Sequence, residues 1–178
     1  MAYSEALLVD VVRSAIGKRD GSLKDLRGDE AAAQVLSALL ERQGLDAAFV
    51  EDVQLGCATQ VGEQGWNLAR AVPLLAGWPD SVCGSTVDRQ CGSSMQATMS
   101  VATAVMAGQL DLAIAGGVEM MSRVPMGSSG GEPSPKLFER FELIPQGLSA
   151  EAIAREWQLS REEQDRYSLE SHRRASSE

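Results

Sequence analysis

Aromatic residues are scarce. Three Trp, two Tyr and three Phe make up 4% of the 178 residues, so the core must be assembled from Ala, Val, Leu and Met. A basic excess is missing too. The 16 Lys and Arg are outnumbered by 25 Asp and Glu, the net charge is −9, and no footprint for nucleic-acid phosphates is visible. An acidic chain can still hold an anionic small ligand in a local basic pocket. Arg13, Lys18 and Arg123 are the scattered candidates for one, read here as solvated. No apolar run approaches the ~20 residues of a membrane span. The opening "MAYSEALLVD" carries an acid where a signal peptide wants Lys or Arg. The three cysteines, at 57, 83 and 91, form neither a CxxC pair nor a Cys/His zinc pattern, so no metal is expected and a reducing cytoplasm fits. Histidine occurs once, as His172 in a charged stretch, where it reads as a helix-face residue. The Gly-rich "GSSGG" lacks the Gly-Lys-Ser/Thr ending of a phosphate loop and reads as linker.

Hydrophobic residues reach 44%, enough for one good-sized domain with a small appendage. Near-continuous apolar strings predict buried strands at 6–12 ("ALLVDVV"), 51–58 ("EDVQLGCA"), 81–88 ("SVCGSTVD") and 111–119 ("DLAIAGGVE"). Between them, "DEAAAQVLSALLERQG" sets Ala32, Val35, Leu36, Leu39 and Leu40 on one helical stripe, with Gly44 as its stop. "NLARAVPLLAG" predicts a short helix that either contains Pro73 or begins there. From Gln90 to Leu110 there is no charged residue. Met95, Met99, Ala102 and Met106 share one helical face and Ala97, Val101, Ala104 and Val105 another, which predicts a buried helix. Strands alternating with helices predict an α/β fold of βαβ units on a mostly parallel sheet. The texture changes after Met121. Residues 1–121 are read as a core layer and 122–178 as a second unit. Within it, 122–148 reads as linker, followed by helices at about 149–158 and 161–175, the latter opened by a Ser160/Glu163 capping box in the mixed, solvated "SREEQDR".

Cys91 is the residue whose chemistry is open. A strand ends at "STVD", the chain turns, and the thiol stands at the first turn of the uncharged helix. A helix N-terminus carries partial positive charge and unpaired N–H groups, which favour a thiolate and can hold a substrate oxyanion. Gly92, Ser93 and Ser94 leave the approach clear, the layout of an acyl-transferring cysteine. Free cysteines also commonly just pack, and spacing alone leaves both readings standing. Cys57 and Cys83, in strand-like runs, are read as packing residues.

"STVDRQCGSSMQA" resembles the nucleophile segment of the thiolases. "VVRSAIGKRDGSLKD", "GCATQVGEQGWNLAR", "DLAIAGGVEMMSRVPMG" and "LSAEAIAREWQLSREEQDRYSLESHRRA" resemble further thiolase segments in the same order, closer to the degradative branch than to the ketoacyl synthases. The resemblance implies a thiolase-like N-terminal half: a mixed five-stranded sheet, a buried nucleophile helix and the start of an α-helical loop domain. It implies acyl transfer between 3-ketoacyl-CoA and CoA through an acyl-cysteine at Cys91, whose backbone N–H would face the oxyanion. CoA and acyl-CoA are then substrates, with no covalently bound cofactor. Gln146, in "PQG" where many relatives have "HMG", is the candidate substrate contact; Asp88 and Ser94 also depart from the common pattern. The family's second half supplies a histidine and a second cysteine as acid and base, so an N-terminal piece is expected to be inactive alone. It is also expected to associate, as a homo-oligomer or with a complementary half. The alternative is a non-catalytic, thiolase-derived acyl-CoA-binding or assembly subunit.

Overall fold

A computed structural model describes residues 5–177. The chain divides into two compact units, one running to Gly130 and the other starting at Gly131.

In the first unit three strands, β1 (Asp52–Gly56), β2 (Cys83–Val87) and β3 (Ala113–Gly117), form a parallel sheet in the order β2-β1-β3. Its register brings Gly56 level with Val87 on one side and Gly117 on the other. Helices α1 (Gly28–Gln43), α2 (Leu68–Leu75) and α3 (Ser93–Met106) complete the unit. The α2 helix packs on β1 and β2 with α1 against it, while α3 packs mainly on β1 and β3.

Side-chain alternation sorts the two faces of the sheet. Val53 and Leu55 point into the core, where they meet Leu36 and Leu40 of α1, Leu68 and Val72 of α2, and Val82, Cys57 and Ile114. The opposite face carries Gln54, Gly56, Ser85, Val87, Ala115 and Gly117, so beside Val87 the α3 side is built of small and polar residues.

Local chemistry explains the helix ends. Asp29 and Glu30 sit in the first turn of α1, where the dipole favours acids. At the other end Gly44 takes a left-handed φ of 62°, and the Leu45 N–H donates to Leu40 O at 3.0 Å, closing the helix as the stripe predicts. Pro73 lies inside α2. It denies a helical donor to the Ala69 carbonyl. That carbonyl instead lies so close to the sheet that a Cβ on Gly84 would stand 2.4 Å from its oxygen.

Several expectations are corrected. Among the described residues the sheet has three strands, all parallel, not five in a mixed arrangement. Residues 6–12 form no strand. Leu7, Leu8, Val9 and Val11 are exposed, and Asp10 accepts a hydrogen bond from Arg42 Nη2 at 2.6 Å. A strand needs a sheet edge as well as an apolar string. β1 already has neighbours on both sides, and this segment pairs with neither outer strand. The uncharged helix α3 is buried on one side only. Ala97 and Val101 face the sheet, whereas the methionine face is open at Met95, 67% exposed, and at Met99, 47% exposed.

The second unit holds α4 (Pro135–Phe138), a single turn inside the predicted linker, α5 (Gln146–Glu156) and α6 (Arg161–Ala175). The α5 helix starts three residues earlier than its pattern suggests. The predicted capping box on α6 is present: Ser160 Oγ accepts from the Glu163 N–H and the Glu163 carboxylate accepts from the Ser160 N–H. Among the described residues no helix is long and apolar enough to cross a membrane.

Candidate active site around Cys91

Between the end of β2 and the start of α3 the chain makes a tight elbow, and Cys91 is on it. Asp88 Oδ1 accepts from the Gln90 N–H at 2.8 Å. Gln90 adopts a left-handed φ of 50°, a conformation that side-chain-bearing residues adopt at a cost. The Gly92 and Ser93 N–H groups then donate to Arg89 O and Gln90 O, at 3.0 and 3.1 Å. Ser93 is buried, and its hydroxyl accepts from the Arg89 N–H at 2.8 Å while donating to Gln90 O at 2.6 Å. The Arg89 side chain reaches forward to Gln96 Oε1. Cys91 therefore precedes α3 by one capping residue, Gly92, instead of standing in the first turn, because the left-handed step at Gln90 delays the helix. The thiol is exposed.

The elbow is set at the carboxyl ends of the strands by two glycines. A Cβ on Gly56 would fall 2.2 Å from Ser94 N, and one on Gly117 would fall 2.7 Å from Ser94 Cβ. Only hydrogen at both positions lets the first turn of α3 rest on the ends of β1 and β3. The carboxyl edge of a parallel sheet is where α/β folds hold their ligands. The surroundings of the thiol are small and uncharged on the helix side: Gly92, Ser93, Ser94, and no acid in the first turn of α3.

Cys57 has an opposite environment. Buried at 1% exposure, its thiol is pushed up to about 11, first by burial and then by the nearby charge of Glu119, so it stays protonated at neutral pH. The Glu119 carboxylate accepts from the Ala58 N–H at 2.8 Å, the Thr59 N–H at 3.3 Å and Gln64 Nε2 at 2.8 Å. It thus ties the loop after β1 to the loop after β3. Gln64, fully buried, also donates to Thr59 O and accepts from the Met120 N–H. The packing role expected for Cys57 is met. Cys83 is instead exposed, since β2 is an outer strand with one edge open.

Other sequence candidates are dispersed. Arg123 donates through Nε to both Glu63 carboxylate oxygens, at 2.8 and 2.9 Å, so it is ion-paired where a solvated side chain is expected. Arg13 and Lys18 are exposed. Gln146 opens α5 and His172 lies near the end of α6, both exposed and both in the second unit. Among the described residues no cluster of three His, Cys, Asp or Glu side chains is placed to hold a metal ion. Sequence reasoning passed over Gly56, Gly117, Gln64 and Glu119, and it read Ser93 only as a small residue on the approach to the thiol. The signal available was the placement of Gly56 and Gly117 at strand ends, followed within two residues by Cys57 and Glu119.

Comparison with known proteins is consistent across sequence and fold. The family described as "Thiolase, N-terminal domain" matches residues 6–178. A steroid 3-ketoacyl-CoA thiolase of Mycobacterium tuberculosis is 43% identical over 97% of this chain and 46% of its own length. A 3-ketoacyl-CoA thiolase of Psychrobacter arcticus is 44% identical over 98% of this chain and 45% of its own. The crystal structure of the Bacillus anthracis acetyl-CoA acetyltransferase superposes with a TM-score of 0.83 at 34% identity, over 96% of this chain and 46% of that one. The chain thus spans a little under half the length of these relatives. The elbow cysteine, the glycine seat beneath it and the matched span together establish that the chain belongs to the thiolase family, as its N-terminal domain.

Proposed function

We propose that the chain supplies the nucleophile of an acyl-CoA C-acyltransferase. In the degradative direction the Cys91 thiolate attacks the keto carbon of a 3-ketoacyl-CoA. The bond between the α and keto carbons breaks, the two-carbon fragment takes a proton and leaves as acetyl-CoA, and the remaining acyl group stays on Cys91 as a thioester. A second CoA thiol, giving up its proton, takes that acyl group and frees Cys91. The Cys91 backbone N–H donates to the oxyanion of the acyl intermediate, and Gln146 contacts the substrate. The single observation that carries this reading is the elbow itself: an exposed thiol ahead of an uncharged helix, with only small residues on its approach.

The unit that carries Cys91 contains no histidine, since the one in the chain is His172. The acid and base for the two proton transfers come from outside this unit, and the isolated chain does not turn over. That same observation favours a second reading, a thiolase-derived acyl-CoA-binding or assembly subunit without catalysis. The open methionine face of α3 and the exposed Leu7, Leu8, Val9 and Val11 support association, with a second copy or a complementary half, in the cytoplasm.

The test is acylation of the purified chain by acetoacetyl-CoA, read by peptide mass spectrometry, with Cys91→Ala as control. An acetyl adduct confined to Cys91, without sustained thiolysis, is the expected outcome. Tight acetoacetyl-CoA binding with no adduct favours the binding subunit. Adducts spread over Cys83 and lysines remove the nucleophile assignment.

A further inference from the structure

We infer that Ser93 is a positioning residue for Cys91: its buried hydroxyl holds the elbow on which the thiol is carried. The inference rests on the proposed nucleophile role of Cys91 and says how the fold keeps that thiol in place.

Three backbone groups define the direction in which Cys91 leaves β2: the Arg89 N–H, the Gln90 φ and the Gln90 carbonyl. The Ser93 oxygen engages two of them at once, accepting from Arg89 N at 2.8 Å and donating to Gln90 O at 2.6 Å. The residue between those groups and Cys91 is Gln90, held left-handed at φ 50°. An L-residue there relaxes toward negative φ unless its surroundings over-determine it. Asp88 contributes one restraint, through the Gln90 N–H. Ser93 contributes the restraint on the carbonyl side and joins it to the helix, because Ser93 is the first residue of α3 and its own N–H also donates to Gln90 O. The helix cannot drift to absorb a change, since its first turn is wedged against Gly56 and Gly117. A slack elbow therefore moves Cys91 and leaves α3 where it is.

Ser93 is not a participant in the acyl transfer under this scheme. Its one O–H donor and one of its two acceptor directions are taken by the elbow, and the residue is buried. Its effect reaches the reaction only through where the Cys91 sulfur and backbone N–H stand.

The experiment is competitive alkylation of the folded 178-residue chain by iodoacetamide, with the rates at Cys57, Cys83 and Cys91 resolved by peptide mass spectrometry. The three thiols report separately: Cys57 on global opening, Cys83 on the exposed strand edge, Cys91 on the elbow. In the parent, Cys91 reacts faster than Cys83. Ser93→Ala removes both bonds and is expected to slow Cys91 by at least about tenfold relative to Cys83, the factor that one lost buried hydrogen bond corresponds to. Cys57 stays slow. Ser93→Thr, which keeps the oxygen, holds the Cys91 rate within about twofold of the parent. Gln90→Gly removes the cost of the left-handed step, so Ser93→Ala in that background loses less than it does alone.

A Cys91 rate unchanged in Ser93→Ala overturns the positioning role and leaves the proposed function standing. A fall at all three thiols, or a rise at Cys57, shows a general packing role and overturns it too. A Thr variant that folds like the parent but has lost the Cys91 rate overturns the assignment to the oxygen, and it decides the matter if the Ala variant fails to fold. A parent in which Cys91 reacts no faster than Cys83 removes both the inference and the nucleophile reading.

Discussion

Cys57 and Cys91 both lie just beyond the carboxyl ends of neighbouring strands, β1 and β2, and the Cys57 N–H even donates to Val87 O, the last residue of β2. One is sealed in the core beside a carboxylate, and the other is open at the head of a helix. The difference arises from which face of the sheet each loop turns toward. The loop after β1 turns toward the α1 and α2 side, where Leu68, Val72 and Leu36 exclude water and Glu119 closes the polar gap. The loop after β2 turns toward the α3 side, where the sheet offers Gly56 and Gly117 beneath the elbow and the exposed thiol is left uncovered. The same thiol is filler on one face and, on the other, exposed at the place proposed for the nucleophile. Residue type predicts neither without the face.

The comparison is broken most severely at Gly56. Gly56→Ala places a methyl group 2.2 Å from Ser94 N and 2.3 Å from Ser93 C, both backbone atoms that cannot rotate away. The first turn of α3 must lift off the sheet. We expect a loss of roughly 3 kcal/mol or more in urea unfolding, at the upper end of overpacking effects, with the Cys91 rate changed and its elbow displaced. Gly44→Ala is the control. Its φ of 62° is strained for alanine, but nothing lies within 4 Å, so the expected loss is only about 1 kcal/mol and Cys91 is untouched. Equal losses at the two glycines would mean that the close approach at Gly56 is not what seats α3.

How much of this arrangement was legible in the chain depends on whether the governing force is local. The Leu36/Leu40 stripe of α1, its Gly44 stop and the Ser160/Glu163 capping box are local patterns, and each is realised. The alternation of strand and helix, which carries the α/β class, is realised over 51–117. The apolar string 6–12 and the methionine face of α3 misled because burial is a property of a partner surface, and periodicity reports only that a surface wants one. Cys91 stands ahead of α3 and not in its first turn for a related reason. Helix phase after a strand is decided by turn hydrogen bonds, here Asp88 to Gln90 and Ser93 to Arg89 and Gln90. The tie between Glu119 and residues 58–64 joins segments some 55 to 61 positions apart, which no window along the chain can register.

A middle-sized effect reads the burial of Cys57 through pH. The Cys57 value of about 11 stands above its ordinary 9.0, so the folded state holds the proton more tightly than the unfolded chain does. Its contribution to stability is therefore complete below pH 9 and is lost as pH rises through about 11. That linkage corresponds to roughly 2–3 kcal/mol over the window. Cys57→Ala removes it. The variant's unfolding free energy is expected to fall less steeply than the parent's between those limits, whatever offset the small cavity imposes at neutral pH. Parallel profiles for parent and variant would show that Cys57 is not sealed as its burial indicates, and the contrast with Cys91 would then rest on position alone.

The smallest effect resolves why Cys57 is silent. Two causes act in the same direction: burial, which is the larger, and the Glu119 charge, with Sγ 3.9 Å from Oε1. Glu119→Gln keeps the shape of the side chain and an oxygen to accept from Ala58 N, but removes the charge. The thiol is then expected to titrate lower than about 11 and still above the ordinary 9.0, because the apolar surroundings of Cys57 are unchanged. The ultraviolet absorbance of the thiolate, taken over pH as the difference between each protein and its Cys57→Ala counterpart, reads this titration in the folded state. A Cys57 thiol restored to its ordinary value would make the carboxylate, and not the core, the agent that keeps it protonated. The silence of Cys57 would then come from one carboxylate of the loop after β3, Glu119, and not from the face its own loop turns toward.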